Sequence, residues 1–105
     1  MKVIPLHHEE QKLIQLAIEN NRQAQQQLYS KFSSKMLGVC RQYIKDIHQA
    51  EDVMITAFMK VFVNLRNFEN KGSFEGWIRR IMVNECISFL RVNKKMKYTE
   101  DEFFV

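Results

Sequence analysis

A glycine-containing loop followed by a basic segment is the part of this 105-residue sequence best suited to chemistry. The stretch "NFENKGSFEGWIRRI", Asn67 to Ile81, holds two of the three glycines, then a tryptophan and an Arg-Arg pair. Spacings of three and four residues predict one stripe along a helix, formed by Trp77, Arg80, Asn84, Ser88, Arg91 and Lys95. Arg, Asn and Ser can donate to phosphates or base edges, and an indole can stack on a base. Spacing alone favours an ordinary solvated face with Trp77 turned into the core.

The charge distribution adds to this pattern. The net charge is +4, and seven of the sixteen Lys and Arg residues lie between Lys71 and Lys97, against only Glu75 and Glu85. The end of the chain then reverses sign in "TEDEFFV". A basic segment with interleaved aromatic residues is the general footprint of nucleic-acid binding, although a basic helix face is more often simply solvated.

Groups that could catalyse a reaction or hold a metal lack the necessary spacing. The consecutive residues "HHEE", 7–10, point to different sides of a helix or strand and make a poor metal site. The stretch "NKGSF" lacks the Lys-Ser/Thr ending of a phosphate-binding P-loop. The sequence therefore predicts no enzyme: no catalytic residue, no metal ligand and no cofactor.

The elements that position these residues are predicted to be helices. With one proline and three glycines, the chain favours an all-α fold, a compact bundle of about four helices. The predicted helices run over Glu9–Asn20, Arg22–Lys45, Gln49–Asn67 and Ser73–Lys95. Glu51 and Asp52 are expected in the first turn of the third helix, and Ser73 as the N-cap of the fourth.

The sequence also favours a cytoplasmic protein without membrane insertion. It opens without a secretory signal and holds no apolar run of membrane-spanning length. Cys40 and Cys86 have neither metal-ligand nor redox spacing, which suits a reducing compartment.

The third predicted helix is apolar over an unusually wide arc. Its core stripe is Met54, Phe58, Val61, Leu65 and Phe68. A second apolar set, Ile55, Met59 and Phe62, lies beside that stripe. Such a helix is either buried on two sides or exposes a patch for a partner, and the two interpretations are nearly even here.

From about Leu28 to Lys95 the chain resembles region 2 of the extracytoplasmic-function (ECF) sigma factors, the small bacterial promoter-recognition subunits of RNA polymerase. The resemblance is carried by "QQLYSKFSSKMLGVCRQYI", "AEDVMITAFMKVFVNLRNF", "GSFEGWIRRIMVNECISFLR" and the basic "NKK". The third stretch is close to the pattern of Bacteroidetes-type bacteria. The implied organisation is an N-terminal helical segment (1–22), a region 2 domain (23–96) and a tail beginning an interdomain linker (97–105).

The resemblance implies two binding surfaces. The helix opening "AEDV" resembles the segment that docks on the β′ clamp helices of core RNA polymerase, which makes the candidate polymerase-binding residues Asp52, Ile55, Thr56, Met59 and Phe62. The family commonly has Gln-Glu where this chain has Ile55-Thr56. An anti-sigma factor is a further implied partner.

The loop before the fourth helix resembles the one that captures a base flipped out of the promoter −10 element, on the single-stranded non-template strand. Gly72 would allow this loop to turn sharply. The implied DNA-binding residues are Asn67, Asn70, Lys71, Gly72, Ser73, Arg80, Asn84, Ser88 and Arg91. Without polymerase, DNA binding is expected to be weak.

Three alternatives stay open at this point. The first is a helical interaction module that binds polymerase or an anti-sigma factor without sequence-specific DNA contact. The second is a nonspecific basic DNA-binding bundle, which would show a steep salt dependence and little base preference. Catalysis is a distant third. Nothing in the chain resembles region 4, the domain that recognises the −35 element, so we expect no −35 recognition from these 105 residues.

Overall fold

A computed structural model of the chain describes the backbone of residues 6–103 and the side chains of residues 9–94. Within residues 6–103 there are four α-helices, one 3₁₀-helix and no strand. The helices are α1 (Leu6–Ile18), α2 (Arg22–Tyr43), α3 (Ile47–Val63) and α4 (Phe74–Phe103), with the 3₁₀-helix (Leu65–Phe68) between α3 and α4. The predicted all-α bundle is therefore confirmed.

Side-chain caps set the starts of three helices. The Asn21 side chain accepts a hydrogen bond from the Ala24 backbone N–H (3.0 Å), and Asp46 accepts one from Gln49 (3.0 Å). The Ser73 hydroxyl oxygen accepts from the Gly76 N–H at 3.1 Å, which confirms Ser73 as the predicted cap of α4. Each contact satisfies a backbone donor that the first turn of a helix leaves free.

The predicted bounds of the third helix, Gln49 and Asn67, were wrong at both ends. Because Asp46 caps it, α3 begins at Ile47, and Glu51 lies beyond its first turn, as does Asp52. The expected interaction of these two acids with the helix dipole is thus not made at the N-terminus. At the other end the α-helix stops at Val63, and the 3₁₀-helix Leu65–Phe68 continues the chain.

The other boundaries differ less, except at the C-terminus. Helix α1 begins at Leu6 rather than Glu9, and α2 ends at Tyr43 rather than Lys45. Helix α4 continues past Lys95 to Phe103, into the segment predicted as a linker. The assignment of residues 97–105 to a linker is not tested by this, because the side chains of that segment lie outside the described residues.

The core lies where α2, α3 and α4 pack together, with α1 against α2. All five residues of the predicted core stripe, Met54 to Phe68, are buried. Helix α4 buries one residue per turn at Phe74, Ile78, Met82 and Cys86, whereas every described side chain from Leu90 to Lys94 is exposed. Between Leu90 and Lys94, α4 therefore contributes no side chain to the buried core.

Two buried thiols lie at the contact between α2 and α4. Cys40 and Cys86 have no accessible surface and lie beside each other. Burial, followed by the neighbouring Cys86 thiol, raises the pKa of Cys40 to about 12, and burial raises the pKa of Cys86 as well. Both side chains thus remain neutral thiols at physiological pH.

Among the described residues, no helix is both long and apolar enough to cross a membrane.

Candidate functional site

The loop between the 3₁₀-helix and α4 is bent by left-handed backbone conformations. Glu69 (φ 55°), Asn70 (φ 56°) and Gly72 (φ 80°) all have positive φ. Glycine adopts such angles freely, whereas Glu69 and Asn70 do so at an energetic cost. Strained backbone of this kind concentrates at functional sites, which makes the loop a candidate site on structural grounds as well.

The bent loop borders a groove of about 650 Å³. From the loop, Asn70, Gly72 and Ser73 line it. Its apolar side is formed by three phenylalanines that pack edge to face, with ring centroids 5.6 Å apart for Phe32–Phe74 and 5.1 Å for Phe68–Phe74. Further lining residues come from α1 and α2, namely Glu10, Gln11, Ile14 and Lys31.

The structure divides the five predicted loop residues into two groups. Three of them line the groove as described. Asn67 instead lies at the end of the 3₁₀-helix, where its side-chain amide donates to the Asn64 side chain at 3.4 Å. Lys71 points to solvent beside Glu69, with which it forms an ion pair of 3.3 Å. Neither Asn67 nor Lys71 lines the groove.

The polar stripe of α4 begins one turn after the loop. Arg80, Asn84, Ser88 and Arg91 are all exposed, so the predicted face exists and no bundle contact covers it. Trp77 is half-buried against two core aromatic rings, at 5.5 Å from Phe68 and 5.9 Å from Phe74. This packing supports the prediction that Trp77 is turned into the core, although part of the indole stays accessible. The side chain of Lys95 lies outside the described residues.

The second predicted surface lies along α3. Ile55 is 41% exposed and Met59 64%, while Asp52 and Thr56 are also exposed. Phe62 is half-buried because its ring stacks on Phe58 at 6.2 Å. Of the two interpretations of the wide apolar arc, the structure therefore supports an exposed patch for all but Phe62.

A smaller groove of about 300 Å³ separates these two surfaces. Asp52 and Thr56 of α3 line it together with Ser88 and Phe89 of α4. An ion pair between Lys60 and Glu85 joins the same two helices at the surface. The candidate polymerase-binding residues of α3 and the candidate DNA-binding residues of α4 thus lie on two helices that contact each other.

Charge around the larger groove is balanced by ion pairs with α2. Lys35 Nζ donates a hydrogen bond to Glu75 Oε1 at 2.7 Å, and Lys31 Nζ lies 3.5 Å from Glu10 Oε1. The hydrogen bond from Lys35 lowers the pKa of Glu75, so this carboxylate stays ionised down to a lower pH than usual. The basic character predicted for this half of the chain therefore lies on α4, not inside the groove.

The family model for sigma-70 region 2 matches residues 28–96 of the chain. The chain belongs to the sigma-70 region 2 family. Its relatives identify it as a region 2 domain of the ECF type: the ECF RNA polymerase sigma factor SigW of Bacillus subtilis is 30% identical over 71 residues. The RNA polymerase sigma-H factor of Pseudomonas aeruginosa is 30% identical over 82 residues.

The matches to SigW and sigma-H cover 68% and 78% of this chain, but only 38% and 42% of those proteins. The chain thus spans less than half the length of these relatives. They leave the narrower prediction of a Bacteroidetes-type sequence untested. The fold is that of an engineered region 2 of sigmaE, solved by NMR in complex with GTAAAA, with a TM-score of 0.78 and 22% identity. That alignment covers 89% of this chain and 97% of the other.

Several residues that line the loop groove or extend the apolar patch of α3 were not predicted from the sequence. The groove residues Glu10, Gln11 and Ile14 lie before residue 28, where the family match begins, and Lys31 stands between Ser30 and the core residue Phe32 without a motif of its own. No local signal indicated that these positions meet the loop. Val63, 82% exposed and one turn beyond Met59, extends the apolar patch of α3 and could have been found from its spacing of four.

Proposed function

We propose that this region 2 domain docks on core RNA polymerase and recognises the promoter −10 element by capturing a flipped base of the non-template strand. The observation that carries the proposal is the strained loop bordering a groove, followed directly by the exposed polar stripe of α4. The relatives' description as RNA polymerase sigma factors supports the partner, and the GTAAAA complex of the sigmaE domain supports a nucleic-acid ligand.

In this proposal the groove receives the flipped base. The side chains of Asn70 and Ser73 and the loop backbone offer hydrogen-bonding groups to the base edge, while the phenylalanine side provides an apolar wall. Because the Ser73 hydroxyl oxygen already accepts the cap hydrogen bond, its proton is free to be donated to the base. Removing a base from the stack costs a few kcal/mol, which these contacts must offset.

The stripe on α4 would hold the strand beside the captured base. Arg80 and Arg91 supply charge for phosphates, and Asn84 and Ser88 lie between them with groups that can bond a base edge or a phosphate. These contacts bind the strand and neither form nor break a covalent bond, so we propose no catalytic residue, metal or cofactor. Lys71 and Asn67 would contact the strand outside the groove.

Docking on polymerase would use the exposed face of α3. Ile55 and Met59 present apolar surface flanked by the polar Asp52 and Thr56, an arrangement suited to the β′ clamp helices. Phe62 would contribute only its exposed edge. We further propose that an anti-sigma factor competes with polymerase for this domain. We also propose that the domain acts in the cytoplasm.

The test is fluorescence anisotropy with a random single-stranded DNA pool, with and without core RNA polymerase, followed by sequencing of the retained strands. A matched duplex pool serves as the control. We expect weak binding by the domain alone, tighter binding with polymerase, and a short shared motif in the retained strands. Binding to polymerase without motif enrichment would contradict base capture.

One alternative keeps structural support. The apolar patch on α3, which continues to the highly exposed Val63, would suit an interaction module that binds polymerase or an anti-sigma factor without contacting DNA specifically. Such a module needs Ile55 and Met59 but neither Arg80 nor Asn84. Separate substitution of the two sets distinguishes the alternatives.

A further inference from the structure

Lys31 occupies a position that neither the sequence nor the family match marks as functional. It lies at the junction of two grooves, since it lines the loop groove described above and also a shallow groove of about 660 Å³ along α2. The remaining lining of this second groove is polar and consists of Gln23, Gln26, Gln27 and Ser30. A strand leaving the loop groove on this side would therefore pass Lys31 before it reached a row of side-chain amides.

The present partner of Lys31 is a carboxylate that it can exchange. Its Nζ lies 3.5 Å from Glu10 Oε1, longer than the 2.7 Å of the neighbouring Lys35–Glu75 pair. The lysine side chain is 49% exposed and the glutamate side chain 19%. A loose, half-exposed ion pair adds little stability, so a phosphate can replace the carboxylate at small cost. Lys31 Nζ also lies 5.3 Å from the centroid of Phe32, on the aromatic side of the loop groove.

We propose that Lys31 binds a backbone phosphate of the single-stranded nucleic acid whose base occupies the loop groove, and that Glu10 holds this lysine when the groove is empty. The inference rests on the proposed function and extends its site to α1 and α2. Glu10 then acts as a competitor: a ligand must release Lys31 before it gains the contact. The amides of Gln23 and Gln27 continue the path and can bond either phosphates or base edges.

The experiment is a double-mutant cycle on single-stranded DNA binding, measured by anisotropy with the full chain at several salt concentrations. We expect Lys31→Gln to weaken binding about fivefold and to reduce the slope of log affinity against log salt by about 0.7, the value for one phosphate contact on a single strand. Glu10→Gln should tighten binding about two- to fivefold, because Lys31 is released from its loose ion pair. In the Lys31→Gln background, Glu10→Gln should have no effect.

The control is Lys45→Gln, which removes one exposed lysine beyond the opposite end of α2. It should leave both affinity and slope close to wild type. Circular dichroism melts establish that every variant is folded. An equal gain from Glu10→Gln with and without Lys31 would overturn the inference, because Glu10 would then act as a general repulsive charge.

The outcomes separate this inference from the proposed function. If Lys31→Gln binds like wild type while Arg80→Ala binds poorly, strand capture stands and the role of Lys31 is overturned. If the wild-type chain fails to bind single strands both alone and with polymerase, both are overturned. If Lys31→Gln and Lys45→Gln reduce the affinity and the salt slope equally, the inference is also overturned, since charge alone would then account for binding.

Discussion

Gly72 combines a φ of 80° with an open surrounding, since a Cβ built on it meets no atom within 4 Å. A side chain at this position is therefore disfavoured by the backbone conformation alone. We predict that Gly72→Ala lowers the free energy of unfolding by about 1–2 kcal/mol, the cost of a left-handed non-glycine residue. Urea denaturation followed by circular dichroism measures this change.

Gly38 provides the matched control for this prediction. It lies inside α2, and a Cβ there also meets no atom within 4 Å. Because alanine suits a helix interior, Gly38→Ala should raise the free energy of unfolding by about 0.5–1 kcal/mol. A rise in the free energy of unfolding for Gly72→Ala, like that expected for Gly38→Ala, would contradict the left-handed conformation of the loop.

The buried thiols predict a loss of stability at high pH. The pKa of Cys40 is raised from an ordinary 9.0 to about 12 in the folded chain. Above pH 9 the unfolded chain loses this proton while the folded chain keeps it, so the free energy of unfolding should fall as pH rises from 9 towards 12. The slope from this group is at most about 1.4 kcal/mol per pH unit.

Urea denaturation at a series of pH values tests this linkage. Lysines and tyrosines also titrate there, so the informative quantity is the difference in slope between wild type and Cys40→Ala. We expect a shallower decline in the variant, although its stability at pH 7 is lower because a buried side chain is truncated. Parallel pH profiles would show that Cys40 ionises equally in both states.

At the scale of the elements, α4 places two neighbouring arginines in different surroundings. Both side chains are exposed, but Arg80 belongs to the predicted polar stripe, whereas Arg79 lies near Glu75 and adds to the effect of Lys35 in lowering the pKa of that carboxylate. Consecutive helical residues point about 100° apart. We predict that Arg80→Ala weakens single-stranded DNA binding about tenfold and reduces the salt slope by about 0.7, whereas Arg79→Ala changes the affinity less than twofold. Anisotropy titrations at several salt concentrations give both quantities, and equal effects would argue for a nonspecific basic bundle.

The helical elements were largely predictable because helical periodicity is local. The spacing of Met54, Phe58 and Val61 is enough to place them on one buried face. The predicted boundaries were wrong where an earlier side chain acts as the cap. Asp46 caps α3, so the helix begins at Ile47 and the later acids lie beyond its first turn. The change from α- to 3₁₀-helix before Leu65 leaves the burial pattern intact, so the apolar spacing could not reveal it.

The candidate site was predictable only in its contiguous parts. The loop and the stripe on α4 lie within one stretch of chain, and both are exposed as expected. The lining by Glu10, Gln11 and Lys31 depends on how α1 and α2 pack against the loop, a non-local contact without a sequence signature. Its residues also belong to types that ordinarily cover any solvated helix, so composition gave no warning.

At the scale of the whole molecule, the two proposed surfaces lie on different helices of one bundle, so they should be separable by mutation. Met59 is exposed on α3, and the polar stripe belongs to α4. Substitution of an exposed residue usually changes stability by less than about 0.5 kcal/mol. Met59→Gln should therefore preserve both folding and the weak DNA binding of the free domain, because it leaves the net charge unchanged.

We predict that Met59→Gln weakens binding to core RNA polymerase at least about tenfold, because it removes apolar surface from the centre of the patch and buries an amide there. Ile47→Gln, at the start of the same helix and also exposed, is the matched control and should bind polymerase normally. Asn84→Ala should show the converse behaviour, with normal polymerase binding and loss of the shared motif in retained strands. Surface plasmon resonance with immobilised polymerase measures the first property and strand sequencing the second. If Asn84→Ala retains the wild-type motif while Met59→Gln abolishes polymerase binding, the domain is a docking module and the strand contacts lie elsewhere in the transcription complex.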